Sequence, residues 1–114
     1  MSDTGFSYST SEGTKPGTAI LKLAGPLTLA NIFGLQDELR KVKPECLIMD
    51  LTGVPFMDSA GLGVVMNYYV SSQKDGRKLF LTGVNDRVSA LLEMTKVDGV
   101  LKVCGSLEAA EALA

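Results

Sequence analysis

The spacing of hydrophobic positions changes several times along this chain, and each change marks an element. Over residues 6–11 (FSYSTS) aromatic residues alternate with serines, the two-residue period of a strand at the edge of a sheet. GTKPG at 13–17 is turn chemistry. AILKLA at 19–24 predicts a second strand, antiparallel to the first, and Gly25-Pro26 ends it. Beyond Thr28, the expected N-cap, Ile32, Leu35, Leu39 and Val42 follow helical spacing, and that helix should stop before Pro44.

CLIMDL at 46–51 is almost uninterrupted in its hydrophobicity. A strand with one wet face would alternate, so this one is expected to be covered on both sides. Leu62, Val65, Met66, Tyr69 and Gln73 share one face of a helix ending near Gly76. KLFLT at 78–82 predicts another buried strand. Asn85 or Asp86 then caps a helix carrying Val88, Leu91, Leu92 and Thr95, which Gly99 should stop. Residues 100–104 read as the last strand, and Ser106 caps a final helix with Glu108 in its first turn. Met49, Met57, Met66 and Met94 are expected to fill the core.

The order β-β-α-β-α-β-α-β-α predicts an α/β fold. We expect a single domain with a mixed sheet, a parallel centre, an antiparallel edge hairpin and about four helices. Residues 1–5 should form a loose leader and residues 6–114 the domain. The 114 residues, 46% of them hydrophobic, suffice for one core of ordinary size.

Charge narrows the function. The formal net charge is −2 and no cluster of Lys and Arg stands out, so binding of nucleic acid is not expected. No apolar run is long enough for a bilayer and the first residues lack a signal-peptide pattern, so a soluble cytoplasmic protein without membrane contact is expected. The basic residues between Ser72 and Lys78 look like a solvated helix end. Cys46 and Cys104 sit in separate apolar segments, as buried reduced thiols do. The chain contains no histidine. That removes Ser-His-Asp and Cys-His catalysis and the usual zinc sites, so no catalytic residue, metal or cofactor is assigned.

In open α/β sheets the functional surface lies at the carboxyl ends of the parallel strands. The glycine-containing turns at 25–28, 53–61, 83–85 and Gly105 fall there. Among them FMDSAGLGVV, residues 56–65, places an acid and a hydroxyl, Asp58 and Ser59, in an apolar stretch. Either side chain can cap the following helix, an interaction worth about 1 kcal/mol. A cap accounts for one polar residue. It leaves the small Ala60 and Gly61 unexplained, since glycine in a first turn costs up to about 1 kcal/mol against alanine. Small residues there admit close approach of another backbone, and a serine at a helix N-terminus suits a phosphate group. The Gly61–Gly63 pair is only a fragment of a dinucleotide fingerprint, because Met66 occupies the third glycine position. The nucleophile elbow also fails, because Met57 replaces its first glycine.

Residues 47–63, LIMDLTGVPFMDSAGLG, resemble the signature of the STAS domain as found in bacterial anti-sigma factor antagonists. The similarity extends from the hairpin to the terminal helix. The resemblance implies a non-enzymatic, phosphorylation-switched binding protein. Its phosphoacceptor would be Ser59, with Asp58, Ala60, Gly61, Leu62 and Thr28 at the partner surface. The implied partners are an anti-sigma factor that is itself a serine kinase and a PP2C-like phosphatase that reverses its action. The unmodified protein would bind the anti-sigma factor and release a sigma factor; the phosphorylated form would not. Where the family commonly has an aspartate after the second strand, Thr28 stands in GPLT at 25–28, without charge. A constitutive subunit of a stressosome or lipid-transport assembly, and a small-ligand binder or enzyme at the glycine-rich rim, are the alternative readings.

Overall fold

A computed structural model describes residues 5–114, so the expected leader lies outside the described residues except for Gly5. The elements follow the predicted order: β1 Ser7–Glu12, β2 Thr18–Ala24, α1 Ile32–Lys41, β3 Cys46–Gly53, α2 Ser59–Lys74, β4 Lys78–Thr82, α3 Asp86–Met94, β5 Lys102–Cys104 and α4 Leu107–Leu113. The five strands form one sheet in sequential order; β1 pairs antiparallel with β2 and all other pairs are parallel. Crossovers of one hand along a sequential order place α1, α2 and α3 on the same face, which leaves α4 for the other.

The core divides accordingly. Leu21, Leu47, Met49, Leu51 and Leu81 meet Leu35, Leu39, Leu62, Val65 and Leu92 on the three-helix face. Ile20, Cys46, Ile48, Phe80 and Cys104 meet Ala110 of α4 on the other. Consecutive residues of β3 thus serve opposite cores, which is why its sequence shows no alternation. Each fully buried Leu or Ile side chain contributes about 1.5–3 kcal/mol relative to exposure.

Four expectations are corrected. Thr28 does not cap α1: the helix starts at Ile32 after Asn31, and Asn31 Oδ1 instead accepts from the Thr28 backbone N–H at 2.9 Å. The buried stripe of α2 runs through Gly61, Leu62, Val64, Val65, Tyr68 and Ser72, with Gln73 exposed. This helix packs against α1 as well as the sheet, so its buried arc is rotated from the Met66–Tyr69–Gln73 line. Met94, at the end of α3, is 77% exposed. That helix is stopped before Gly99: Lys96 takes a left-handed conformation with φ 62°, and the Val97 N–H bonds to the Leu92 carbonyl, a helix ending usually given to glycine.

Candidate functional site

Three loops at the carboxyl ends of the strands are joined to one another. Leu27 and Met57 form a parallel bridge; Leu27 N–H donates to the Phe56 carbonyl at 3.1 Å, and Asp58 N–H donates to the Leu27 carbonyl at 3.2 Å. Asn31 Nδ2 donates to the Pro26 carbonyl and holds the 26–31 loop closed. Asn85 caps α3 by accepting from Val88 N–H at 2.9 Å, and its amide donates to the Val54 and Pro55 carbonyls at 3.1 and 3.0 Å. Arg87 lies over the Phe56 ring at 4.9 Å. The sequential strand order contains no reversal, so no crevice of the kind that holds cofactors in doubly wound sheets opens here.

Asp58 and Ser59 sit on this joined rim with separate tasks. Asp58 is the N-cap of α2: Oδ1 accepts from Gly61 N–H at 2.9 Å, while Oδ2 accepts from Leu29 N–H at 3.1 Å. One carboxylate therefore caps the helix and ties the 26–31 loop to it. These backbone N–H groups, that of Gly61 foremost, hold the Asp58 carboxyl below its usual value, because they favour the charged form. Ser59 is the first residue of α2, exposed, and its hydroxyl makes no hydrogen bond among the described residues. The cap is the acid, and the hydroxyl is left free.

Ala60 is half-buried beside them, but Gly61 and Leu62 are buried in the chain's own interior. A Cβ on Gly61 would lie 2.3 Å from the Leu27 carbonyl oxygen. The close backbone approach that its size permits is therefore made within the chain, by the 26–31 loop. Gly61 and Leu62, expected at the partner surface, are buried in the free chain and lie beneath Asp58 and Ser59. Gly83 at the same rim has φ 73° and faces Thr52 as tightly. Thr28 is half-buried and precedes Leu29, so it lies on the same rim as Ser59.

Residues that the periodicity did not single out complete the surface. Leu29 and Phe33 are 59% and 64% exposed although both are large and apolar. Leu29 touches Asp58 through its backbone, and Phe33 follows one turn later on α1. Their only signal in the sequence is an apolar residue on the wrong side of the Ile32–Leu35–Leu39 stripe.

Cys46 and Cys104 are free and buried, and burial raises the Cys46 thiol pKa, which keeps it unreactive. Among the described residues no group of His, Cys, Asp and Glu side chains can hold a metal ion, and no helix is long and apolar enough to cross a membrane.

The family model described as the STAS domain matches residues 12–110. An anti-sigma-B factor antagonist of Staphylococcus aureus is 26% identical over 86 residues, covering 73% of this chain and 80% of that protein. An anti-sigma factor antagonist from Mycobacterium paratuberculosis superposes with a TM-score of 0.87 at 16% identity, over 98% of this chain and 96% of the other. The Bacillus cell fate determinant SpoIIAA in its phosphorylated form does so with a TM-score of 0.73 at 14% identity, over 95% and 100%. At such identities the two structures speak to the fold alone.

Proposed function

This chain belongs to the STAS domain family, and on that premise we propose that it is a binding module switched by phosphorylation of Ser59. With Ser59 unmodified it binds an anti-sigma factor, itself a serine kinase, and so releases a sigma factor. Phosphate on Ser59 blocks that complex, and a PP2C-like phosphatase restores it. The protein performs no catalysis; it is the substrate and the partner.

The observation that carries this reading is the division of labour at the start of α2. Because Asp58 supplies the cap, Ser59 is exposed with its hydroxyl unengaged, and modifying it breaks no internal contact. The proposed contact surface is Ser59, Asp58, Ala60 and Thr28, with Leu29 and Phe33 as its apolar shoulder.

Magnitudes support a switch that acts on binding rather than folding. A phosphoserine adds about −1.5 to −2 charges. The α2 N-terminus favours an anion by about 0.3–1 kcal/mol. The neighbouring Asp58 carboxylate opposes it, by about 1 kcal/mol per unit charge pair at 4 Å in water. The net cost of about 1–2 kcal/mol is small beside the roughly 5–15 kcal/mol that stabilises a typical domain, so the free protein stays folded. Under a partner water is excluded, and two adjacent anions without a counter-charge cost several kcal/mol. Since 1.4 kcal/mol is tenfold in affinity, about 3 kcal/mol weakens binding more than a hundredfold.

Incubation with ATP and the cognate anti-sigma kinase should add one phosphate, absent from Ser59→Ala. Ser59→Asp should bind that partner at least about a hundredfold more weakly while unfolding at the wild-type temperature. Phosphate found at another residue, or a complex indifferent to Ser59→Asp, removes the switch. The second result would favour a constitutive subunit of a larger assembly.

A further inference from the structure

At the opposite end of the sheet, the C-terminal halves of α1 and α2 line a groove of about 500 Å³. Its walls carry Arg40, Lys43, Lys74 and Arg77 against a single carboxylate, Asp75, in a chain whose net charge is −2. The segment expected to be a solvated helix end is, at Arg77, no such thing. The Arg77 side chain is only 10% exposed; Nη2 pairs with Asp75 at 3.1 Å and Nη1 donates to the Tyr68 hydroxyl at 3.1 Å. Its Nε is buried with no hydrogen-bond partner.

The cations exceed what the chain uses to neutralise them. Asp75 is itself 56% exposed, so its attraction for Arg77 is partly screened by water. Tyr68 brings no charge: burial raises its pKa despite the adjacent guanidinium, and its hydroxyl donates to the Val42 carbonyl at 2.7 Å. Among the described residues Arg40 pairs only with Asp37, and that pair is exposed to solvent. Lys43 and Lys74 form no ion pair among the described residues. The Arg77 guanidinium also lies over the Tyr68 ring, 5.4 Å from its centroid, but burying it with one donor unsatisfied still costs free energy.

We propose that this groove binds a small organic anion carrying two or more negative charges, phosphate or carboxylate, with Arg77 at its base and Lys43 and Lys74 at its sides. Each Arg77 Nη carries a second N–H beyond the one given to Asp75 or Tyr68, which suits either oxyanion, and the two ammonium groups add charge without fixed geometry. Leu39 and Val64, both largely buried, form the groove's apolar floor, and its volume lies in the range of small-molecule sites, which leaves room for an organic body behind the charges. The site is independent of the Ser59 switch.

Two-dimensional NMR of the labelled full chain, titrated with pyrophosphate and separately with citrate at constant ionic strength, tests this. At least one probe should give saturable shifts at millimolar concentration, confined to residues 36–43 and 64–77, and the tighter of the two identifies the headgroup. Lys43 and Lys74 are exposed, so Lys43→Ala/Lys74→Ala should fold normally and bind at least about tenfold more weakly. Ser59→Ala should bind as wild type does. No saturation with either probe, shifts elsewhere, or equal affinity in the double variant overturns the proposal.

Discussion

The two ends of the sheet are assembled from the same kinds of part, helix ends and crossover loops, but they are finished differently. At the carboxyl rim the loops bond to one another: Leu27 bridges Met57, Asp58 ties Leu29 to Gly61, and Asn85 reaches the loop after β3. Polar groups there are mostly satisfied within the chain, and what projects is a free hydroxyl and two apolar side chains. At the amino end the helices leave a concavity whose cations are under-neutralised. A filled, rigid surface suits a protein partner, which meets it without reorganising. A concave and unbalanced one suits a small molecule, which can supply the missing charge.

Three substitutions press on this contrast. Gly61→Ala should break the rim most severely. The added Cβ meets a backbone oxygen at 2.3 Å, and such overpacking costs about 3 kcal/mol, against about 1 kcal/mol gained in helix propensity. A net loss of about 2 kcal/mol in urea unfolding is expected, with the amino-end groove unchanged in its anion response. A neutral result would mean that the 26–31 loop is not held against α2.

Asp58→Ala removes both the cap and the tether and should cost about 1–2 kcal/mol. Its pH dependence has a definite sign. The folded carboxyl titrates below the ordinary Asp value, so its contribution is complete above about pH 4 and is lost as pH falls through the lower, folded pKa. Stability curves of wild type and variant should therefore run parallel near neutrality and converge in acid. Parallel curves throughout would show that the Asp58 charge is not what the rim uses.

The smallest effect belongs to the other end. Lys96 holds a left-handed conformation that a side chain disfavours by about 1–2 kcal/mol, part of which glycine returns through its freer unfolded chain. Lys96→Gly should raise stability by about 0.5 kcal/mol and leave partner binding at the rim untouched. Thermal unfolding checks the first half and partner titration the second.

Period and composition alone determined the element order, the mixed sheet and the double burial of β3. Each follows from spacing within one segment, which a linear sequence displays. The same reading narrowed the site to Asp58 and Ser59, because polar residues at a strand-to-helix junction stand out against apolar neighbours. It left open which of the two caps the helix. The structure decided that: Asp58 caps through Gly61 N–H while its second oxygen takes the N–H of Leu29, far back in the chain. It also decided that Gly61 faces Leu27, that Thr28 sits in a turn closed by Asn31, and that Arg77 is buried against Tyr68. These are meetings between segments distant in sequence, and no local period encodes which distant backbone will arrive at a given residue.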